Sequence, residues 1–147
     1  MTPAAIVQSY LDDVGAAVLA GDWDAYACRV VLPFQLTTLT ADLVVRTEKD
    51  LRAGFDDFHL MLCAQRITDY VRLVESAAMT ADQLLTGRYT SHLVAGDRRM
   101  IEPYASDITL RLVGNLWRAT AISNSLINSR WPLLTPSTDR SIKGPEI

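Results

Sequence analysis

The stretch that decides the fold runs from Leu84 to Leu126 and reads LLTGRYTSHLVAGDRRMIEPYASDITLRLVGNLWRATAISNSL. It contains two dipeptides, Gly96-Asp97 and Gly114-Asn115, that tolerate the positive φ angles of two-residue hairpin loops. Apolar and polar residues alternate on both sides of each dipeptide. The stretch is therefore predicted to form three consecutive antiparallel strands.

The two turns fix which residues face each other across these strands. In the first hairpin, Leu85, Tyr89 and Leu93 are expected opposite Ile108, Tyr104 and Met100. In the second, Leu110 and Leu112 are expected opposite Ala119 and Trp117. This register gathers the polar side chains on the other face: Arg88, Thr90, His92, Asp107, Thr109, Arg111, Arg118 and Thr120. A slip of one residue would exchange the faces, so the separation supports the register.

The inward face changes character along its length. One end is apolar and holds Trp117, Leu112, Leu110 and Ile108. The other end holds small or polar residues: Tyr89, Ser91, Glu102, Tyr104, Ser106, Ser123 and Ser125. Such side chains beneath a covering element leave both space and hydrogen-bonding groups, so a pocket is predicted there.

Length and composition are typical of one globular domain. The chain has 147 residues, of which 49% are hydrophobic and 21% charged, enough to form a core without disulfides. A net charge of −3 without a basic block argues against nucleic-acid binding. No apolar run approaches the roughly 20 residues of a membrane span, and the N-terminus does not resemble a signal peptide. A cytoplasmic location is expected.

The residues before the hairpins predict three helices and a short hairpin. Thr2 and Pro3 begin the first helix, Gly21 ends it, and Asp22 caps a short second helix. The hairpin is predicted over 33–40 and 42–47, followed by a third helix capped by Thr47 with Asp50 at the capping-box position.

A longer strand is predicted over 65–77, with Val71 and Leu73 facing in and Tyr70 and Arg72 facing out. The chain after Leu126 becomes polar. One domain is therefore expected over residues 1–130, with an extended tail over 131–147 that docks in part through its apolar residues.

The order of these elements resembles the nuclear transport factor 2-like superfamily, and within it the SnoaL-like group of small bacterial proteins. Five short motifs carry the resemblance: Gly21-Asp22-Trp23-Asp24, Pro33-Phe34, Thr47-Glu48-Lys49-Asp50-Leu51, Gly87-Arg88-Tyr89-Thr90-Ser91-His92 and Asn115-Leu116-Trp117-Arg118-Ala119. Their order over residues 4–130 carries more weight than any one of them.

The resemblance implies an α+β fold in which a cone-shaped, cystatin-like, curved antiparallel sheet wraps around three N-terminal helices. It also implies a cavity at the open end and a homodimer formed through the sheet. Members include polyketide cyclases, ketosteroid isomerases, dehydratases and non-catalytic binding domains. Catalytic members commonly place an acidic residue and a tyrosine or histidine inside the cone.

Two carboxylates are candidates for a catalytic base. Glu102 is expected to face inward beside Tyr104, where desolvation would raise its pKa toward the range of a general base. The alternative is a solvated Glu102 at the mouth, or one turned outward by a bulge at Pro103. Asp69 is a second candidate that faces inward with Val71 if the strand predicted over 65–77 keeps its alternation, although an aspartate at a strand start is usually exposed.

Tyrosine and histidine are the candidate hydrogen-bond donors. Tyr89 and Tyr104 are suited to donate to a developing enolate oxygen, with aromatic packing as the alternative. His59 is either an acid, base or ligand contact inside the cone or a structural residue at a helix boundary. His92 is expected on the outer face.

The aromatic residues Trp23, Phe34, Phe58 and Trp117 are expected to line the core or the cavity. Cys28 and Cys63 are expected to be buried free thiols. The sequence has no HxH or HExxH pattern, no glycine-rich phosphate loop and no GxSxG motif. We therefore expect no metal, and no nucleotide, flavin, heme or other cofactor.

Two functional hypotheses follow. In the first, the cavity binds a small, mostly apolar compound with a carbonyl or hydroxyl group, and Glu102 or Asp69 is the base for cofactor-free isomerisation, cyclisation or dehydration. Tyr89, Tyr104 or His59 then donates the hydrogen bond, and Ser91, Ser106, Ser123, Trp23, Phe58 and Trp117 contact the ligand. In the second, the protein is a non-catalytic binding or dimerisation module. An inward carboxylate beside a cavity of about 300 Å³ or more favours the enzyme.

Overall fold

A computed structural model describes residues 1–127. Within them the chain forms α1 (Pro3–Ala20), α2 (Trp23–Ala27), β1 (Val30–Thr37), β2 (Asp42–Val45), α3 (Glu48–Ala64), β3 (Asp69–Ala81), β4 (Leu84–Ala95), β5 (Arg98–Arg99), β6 (Tyr104–Val113) and β7 (Leu116–Asn124). The tail predicted over 131–147 lies outside the described residues. None of the helices in 1–127 has the length and apolar character needed to cross a bilayer.

The helix boundaries are those predicted from the capping residues. The hydroxyl of Thr2 accepts a hydrogen bond from the Ala5 amide at the start of α1, and Thr47 caps α3 in the same way. Asp22 caps α2 through its carboxylate. Gly21 ends α1 with a φ of 72°, a left-handed conformation that suits glycine. These local contacts fix where α1 stops and where α2 and α3 begin.

The strands form one sheet in the order β2-β1-β7-β6-β4-β3, and β5 pairs with β4. The sheet is mixed, because β1 runs parallel to β7 while the other pairs are antiparallel. The expectation of a wholly antiparallel sheet is therefore wrong at this one pair. Helix α1 packs against β3 and β4, and it also contacts α2 and α3. The helices and the inward face of the sheet enclose the core.

The first hairpin keeps the predicted faces but not the predicted register. Around the Gly96-Asp97 turn, Val94 pairs with Arg99 as expected. Farther along, Tyr89 pairs with Ser106 rather than with Tyr104. The Met100 amide still donates to its predicted partner, the carbonyl oxygen of Leu93. The segment 101–103 then leaves the ladder, in which Pro103 has no amide hydrogen to donate, and pairing resumes at Tyr104 with an offset of two residues. An offset of two preserves alternation, so Tyr89 and Tyr104 remain buried.

The second hairpin follows the prediction only near its turn. Leu110 pairs with Ala119 and Leu112 with Trp117, as expected. A bulge then shifts the ladder between Thr109 and Leu110. The extra residue in β7 reverses the alternation beyond it. Ser123, expected to face the pocket, is therefore exposed, and its neighbour Asn124 is buried.

In strand β3 the inward and outward faces are exchanged relative to the prediction. Arg72 is only 6% exposed, whereas Val71 and Leu73 are 39% and 51% exposed. The cause is pairing with β4, in which Arg72 lies opposite the buried Ser91. Residues directly opposite each other in an antiparallel pair share a face, so Arg72 must point inward. The predicted orientation of this strand is wrong.

The two cysteines are free and exposed. The expectation that they are buried is therefore wrong. Cys28 follows the short helix α2, and Cys63 lies near the end of α3, where the helix turns its apolar stripe away from it.

Candidate functional site

A cavity of about 100 Å³ lies between the three helices and the inward face of the sheet. Most of its wall is apolar and includes Val14, Val18, Val30, Phe34, Leu36, Phe55, Phe58, Ala119 and Ile122. Its polar groups come from Tyr10, Tyr26, Tyr70, Arg72, Tyr89, Ser91, Tyr104 and Ser106. The cavity is thus an apolar chamber with phenol, hydroxyl and guanidinium groups along the β3, β4 and β6 side.

Arg72 is the only formally charged residue in this wall, within the described part of the chain. One guanidinium nitrogen, Nη2, donates to the carbonyl oxygen of Leu11 at 2.9 Å. The guanidinium carbon lies 4.5 Å from the ring centre of Tyr70 and 5.8 Å from that of Tyr89. Its Nε is buried and has no hydrogen-bond partner within residues 1–127. The cation is held by a backbone carbonyl and aromatic faces.

Helix α1 anchors β3 around Arg72 through one amide side chain. Gln8 donates from Nε2 to the carbonyl oxygen of Arg72 at 2.6 Å. Its Oε1 accepts from the amide of Val74 at 3.0 Å. These two bonds satisfy backbone groups of a strand at the edge of the sheet, because no other strand formed by residues 1–127 pairs with the free side of β3. They fix the position of Arg72 relative to α1.

Burial raises the pKa of two phenols near Arg72, those of Tyr89 and Tyr104. Burial raises the pKa of the Tyr104 phenol well above its usual range, and nearby Tyr70 and Tyr89 raise it further. Burial also raises the pKa of Tyr89, although Arg72 and a hydrogen bond from Ser106 oppose the shift. Both phenols are therefore protonated at neutral pH and can donate hydrogen bonds.

Tyr10 and Tyr26 extend the same group on the helical side. Burial raises the pKa of both phenols. The hydroxyl of Tyr10 donates to the carbonyl oxygen of Arg29 at 2.9 Å, which ties α1 to the chain entering β1. We refer to Tyr10, Tyr26, Tyr89 and Tyr104 as the four shifted tyrosines.

The two candidate bases lie outside the cavity. Glu102 is exposed in the irregular segment before β6, so the expectation that it faces inward is wrong and the alternative of a solvated carboxylate holds. Asp69 is exposed at the start of β3, so the expectation that it faces inward is wrong. The reversed alternation of β3 explains this, because Asp69 lies on the same side as the exposed Val71. Neither carboxylate borders the cavity.

His59 lies at the junction of α1 and α3 and does not line the cavity. Its Nδ1 is 2.8 Å from the carbonyl oxygen of Val18, and its Nε2 is 3.6 Å from the sulfur of Cys63. This geometry corresponds to the structural alternative, with Nδ1 donating to the end of α1. Within residues 1–127, no group of three or more potential ligand residues is placed to hold a metal ion.

The expected contact residues divide into two groups. Phe58, Ser91 and Ser106 line the cavity, as do Tyr89 and Tyr104. Three others do not: Trp23, Trp117 and Ser123.

The two tryptophans pack elsewhere. Trp23 contacts Tyr26 and Phe55 at ring-centre distances of 6.1 and 5.6 Å. Trp23 therefore packs against two residues that line the cavity without lining it itself. Trp117 is partly buried against the core, and its carbonyl oxygen accepts a hydrogen bond from Arg29 Nε.

Sequence reasoning missed Tyr10, Tyr26, Tyr70 and Arg72 as cavity residues. For Tyr10 a signal exists, because it lies at four-residue spacing with Ile6 and Val14 on the buried stripe of α1. For Tyr70 and Arg72 the signal lies in the partner strand. Finding them requires the pairing register between β3 and β4, which cannot be inferred from the sequence of β3 alone.

Comparison with known proteins defines the fold. No protein-family profile matches the chain. No curated protein matches it by sequence.

Solved structures do match. One is a nuclear transport factor 2-like protein with a cystatin-like fold from Novosphingobium aromaticivorans, with 20% identity, a TM-score of 0.61, and coverage of 84% of this chain and 81% of that one. A second, from Thiobacillus denitrificans, is provisionally named a calcium/calmodulin-dependent protein kinase type II association domain, with 17% identity, a TM-score of 0.63, and 81% and 93% coverage. A third, from Novosphingobium aromaticivorans, is provisionally named an aromatic ring hydroxylase, with 16% identity, a TM-score of 0.57, and 86% and 90% coverage. The chain therefore has the nuclear transport factor 2-like, cystatin-like fold predicted from its sequence.

Proposed function

We propose that the protein binds a small organic molecule in the cavity between its helices and its sheet. The observation that carries the proposal is the cavity itself, an apolar chamber of about 100 Å³ bordered by phenols, serine hydroxyls and a guanidinium. Apolar walls with a few convergent polar groups are typical of small-molecule sites. The polar groups are suited to orient a ligand that carries a carbonyl or hydroxyl oxygen.

The volume limits the size of the ligand. Sites for drug-sized compounds usually measure about 300–1,000 Å³, whereas an apolar cavity of about 150 Å³ holds benzene. The cavity of about 100 Å³ is smaller than this but partly open to solvent, so it encloses a group smaller than benzene and accepts a single ring when part of the ring lies in the opening. This volume is also below the roughly 300 Å³ that would favour the enzyme.

Binding without carboxylate catalysis is the function that the geometry supports best. The enzymatic alternative, a cofactor-free isomerase, cyclase or dehydratase, needs a base near the ligand. Glu102 and Asp69 are exposed and do not border the cavity. One observation still favours the alternative: Tyr89 and Tyr104 are neutral donors beside a buried cation, an arrangement that stabilises a developing enolate oxygen. In that case the proton acceptor is a group of the substrate or a water molecule.

Binding of phenol and benzaldehyde, one ring with a hydroxyl or a carbonyl, tests the proposal. The matched variants are Ser106→Val and Ser123→Val, which add the same bulk inside the cavity and on the exposed side of β7. We expect NMR titrations to show binding by the wild type and Ser123→Val, and a loss of about tenfold or more in Ser106→Val. Equal binding by both variants, or none by the wild type, would overturn the proposal.

We also propose that the chain forms a homodimer through the outer face of its sheet. Val71 and Leu73 of β3 are 39% and 51% exposed, and they lie opposite His92 and Thr90 on the outer face. Exposed apolar side chains grouped on one strand are typical of an interaction surface. Sedimentation velocity provides the test, and a monomer at micromolar concentration would contradict the proposal.

Two further expectations rest on the sequence and remain proposals. We infer membership of the SnoaL-like group and a cytoplasmic location. Two free, exposed cysteines fit a reducing compartment. Cell fractionation tests the location, and recovery of the protein outside the cytoplasm would contradict it.

A further inference from the structure

The cavity contains a positive charge that the described part of the protein does not neutralise. Arg29, Arg52 and Arg88 each form an ion pair with a carboxylate on the surface. Arg72 is 6% exposed, and no ion pair to it exists within residues 1–127. Burying a cation without an opposite charge is costly. Packing alone therefore does not explain a buried arginine at position 72.

The hydrogen-bonding capacity of this guanidinium is also only partly used. An arginine side chain carries five N–H donors in a planar fork. Nη2 donates to Leu11, and Tyr89 makes a side-chain hydrogen bond with Arg72. Nε is buried without any partner among the described residues. Because Arg72 lines the cavity, those of its remaining donors that face the cavity can bind a molecule there.

The neighbours of Arg72 suit a group with two oxygens. Ser91 lies directly opposite Arg72 across the β3–β4 ladder, and Tyr104 pairs with Ser91 on the far side. Ser91 and Tyr104 both line the cavity. A fork of guanidinium donors with hydroxyls alongside matches a planar carboxylate, which accepts two parallel hydrogen bonds from arginine. The apolar wall opposite suits a short hydrocarbon or a single ring.

We propose that the ligand of this cavity is a small organic monocarboxylate, bound with its carboxylate against Arg72 and its apolar part among the aromatic side chains. This inference rests on the proposed function and narrows it from any small molecule to an anion. It assigns Arg72 the role of charge partner for the ligand. Structural support of Leu11 and the two tyrosine rings is then a secondary role.

Two pairs of probes separate charge from shape. Benzoate and benzamide are nearly isosteric and differ in charge, and acetate and acetamide form a smaller pair of the same kind. Titration calorimetry in chloride-free buffer at neutral pH measures all four. We expect benzoate to bind the wild type at least about tenfold more tightly than benzamide, as expected for a charge-assisted hydrogen bond. The same order should hold for the smaller pair.

Variants locate the preference. Arg72→Met should remove the preference for the anion, with benzoate weakened about tenfold or more and benzamide changed less than about threefold. Arg72→Lys keeps a cation and should retain part of the preference. Arg88→Met is the matched control, because Arg88 is half-exposed on the outer face and pairs with Glu75 and Asp107. It should leave all four affinities unchanged.

Each outcome decides between the two proposals. Equal affinity of the wild type for anion and amide overturns this inference and leaves the proposed function standing. Binding of no probe overturns both. Unchanged benzoate binding in Arg72→Met also overturns the inference, because the anion then binds elsewhere. If Arg72→Met does not fold, the wild-type ratio and Arg72→Lys still decide the question.

Discussion

The substitution Arg72→Met should change the stability of the protein far less than its burial implies. Removing the guanidinium loses a charged hydrogen bond to Leu11 of 2.9 Å, worth about 1.5–3 kcal/mol. It also loses a desolvated cation–π contact with Tyr70 at 4.5 Å, worth about 2 kcal/mol, and the side-chain hydrogen bond with Tyr89, worth about 1.5 kcal/mol. Against this, it removes the cost of burying an unpaired cation, which is several kcal/mol. Since the carbonyl of Leu11 keeps its intrahelical bond, gains and losses nearly cancel.

We therefore expect the free energy of unfolding of Arg72→Met to lie within about 2 kcal/mol of the wild type. Urea denaturation followed by far-UV circular dichroism measures it. Leu85→Ala is the positive control, because Leu85 is fully buried and its truncation should cost about 2–5 kcal/mol. A loss in Arg72→Met as large as that in Leu85→Ala would show that Arg72 is mainly structural. That result would refute the argument that the charge is retained for a ligand.

Four further predictions follow from the same contacts. Burial raises the pKa of the four shifted tyrosines in the folded state, so their contribution to stability is complete below the unfolded pKa of about 10 and is lost as pH rises above it, by up to about 1.4 kcal/mol per pH unit for each phenol. Absorbance at 295 nm should show these phenols ionising together with unfolding, and their ionisation near pH 10 in the native state would contradict this prediction. Gly21→Ala should lower the midpoint of thermal unfolding more than Gly96→Ala. Both glycines have positive φ, but a Cβ at Gly21 would lie 2.9 Å from the His59 ring, whereas a Cβ at Gly96 would meet nothing within 4 Å. Equal effects would show that the contact with His59 does not destabilise the Gly21 variant. Glu102→Gln should change benzoate affinity by less than about twofold, because this carboxylate is exposed and outside the cavity and exposed charges interact weakly across solvent. A larger loss of affinity in calorimetry would show that Glu102 contributes to ligand binding. Leu73→Glu should yield a folded monomer in sedimentation velocity, and an unchanged dimer would place the interface elsewhere.

The parts of the fold that sequence predicts well are those set by short-range chemistry. Thr2, Asp22 and Thr47 cap the three helices through contacts with amides three residues away. The turns at Gly96 and Gly114 have positive φ in the structure, as their hairpin roles require. Alternation in β4 and β6 places Tyr89 and Tyr104 inside because apolar residues on both strands agree.

The parts that sequence misses are set by pairing between strands. In β3 the apolar Val71 and Leu73 face outward. The usual rule that apolar residues face inward therefore selects the wrong face and predicts an exposed Arg72, although Arg72 is buried. In β7 a bulge reverses the alternation before Ser123. Neither feature has a signature within its own strand. The most informative residue of the site, a buried arginine, is also the one that hydrophobic patterning is least able to find.

The identity of the group that Arg72 contacts is tested most directly by a crystal structure of the protein grown with benzoate. We predict the ring among the aromatic side chains and a carboxylate oxygen about 2.7–2.9 Å from a guanidinium nitrogen of Arg72, the usual length of such a bond. A cavity without benzoate at saturating concentration, or a bound ring whose carboxylate points away from Arg72, would contradict the account.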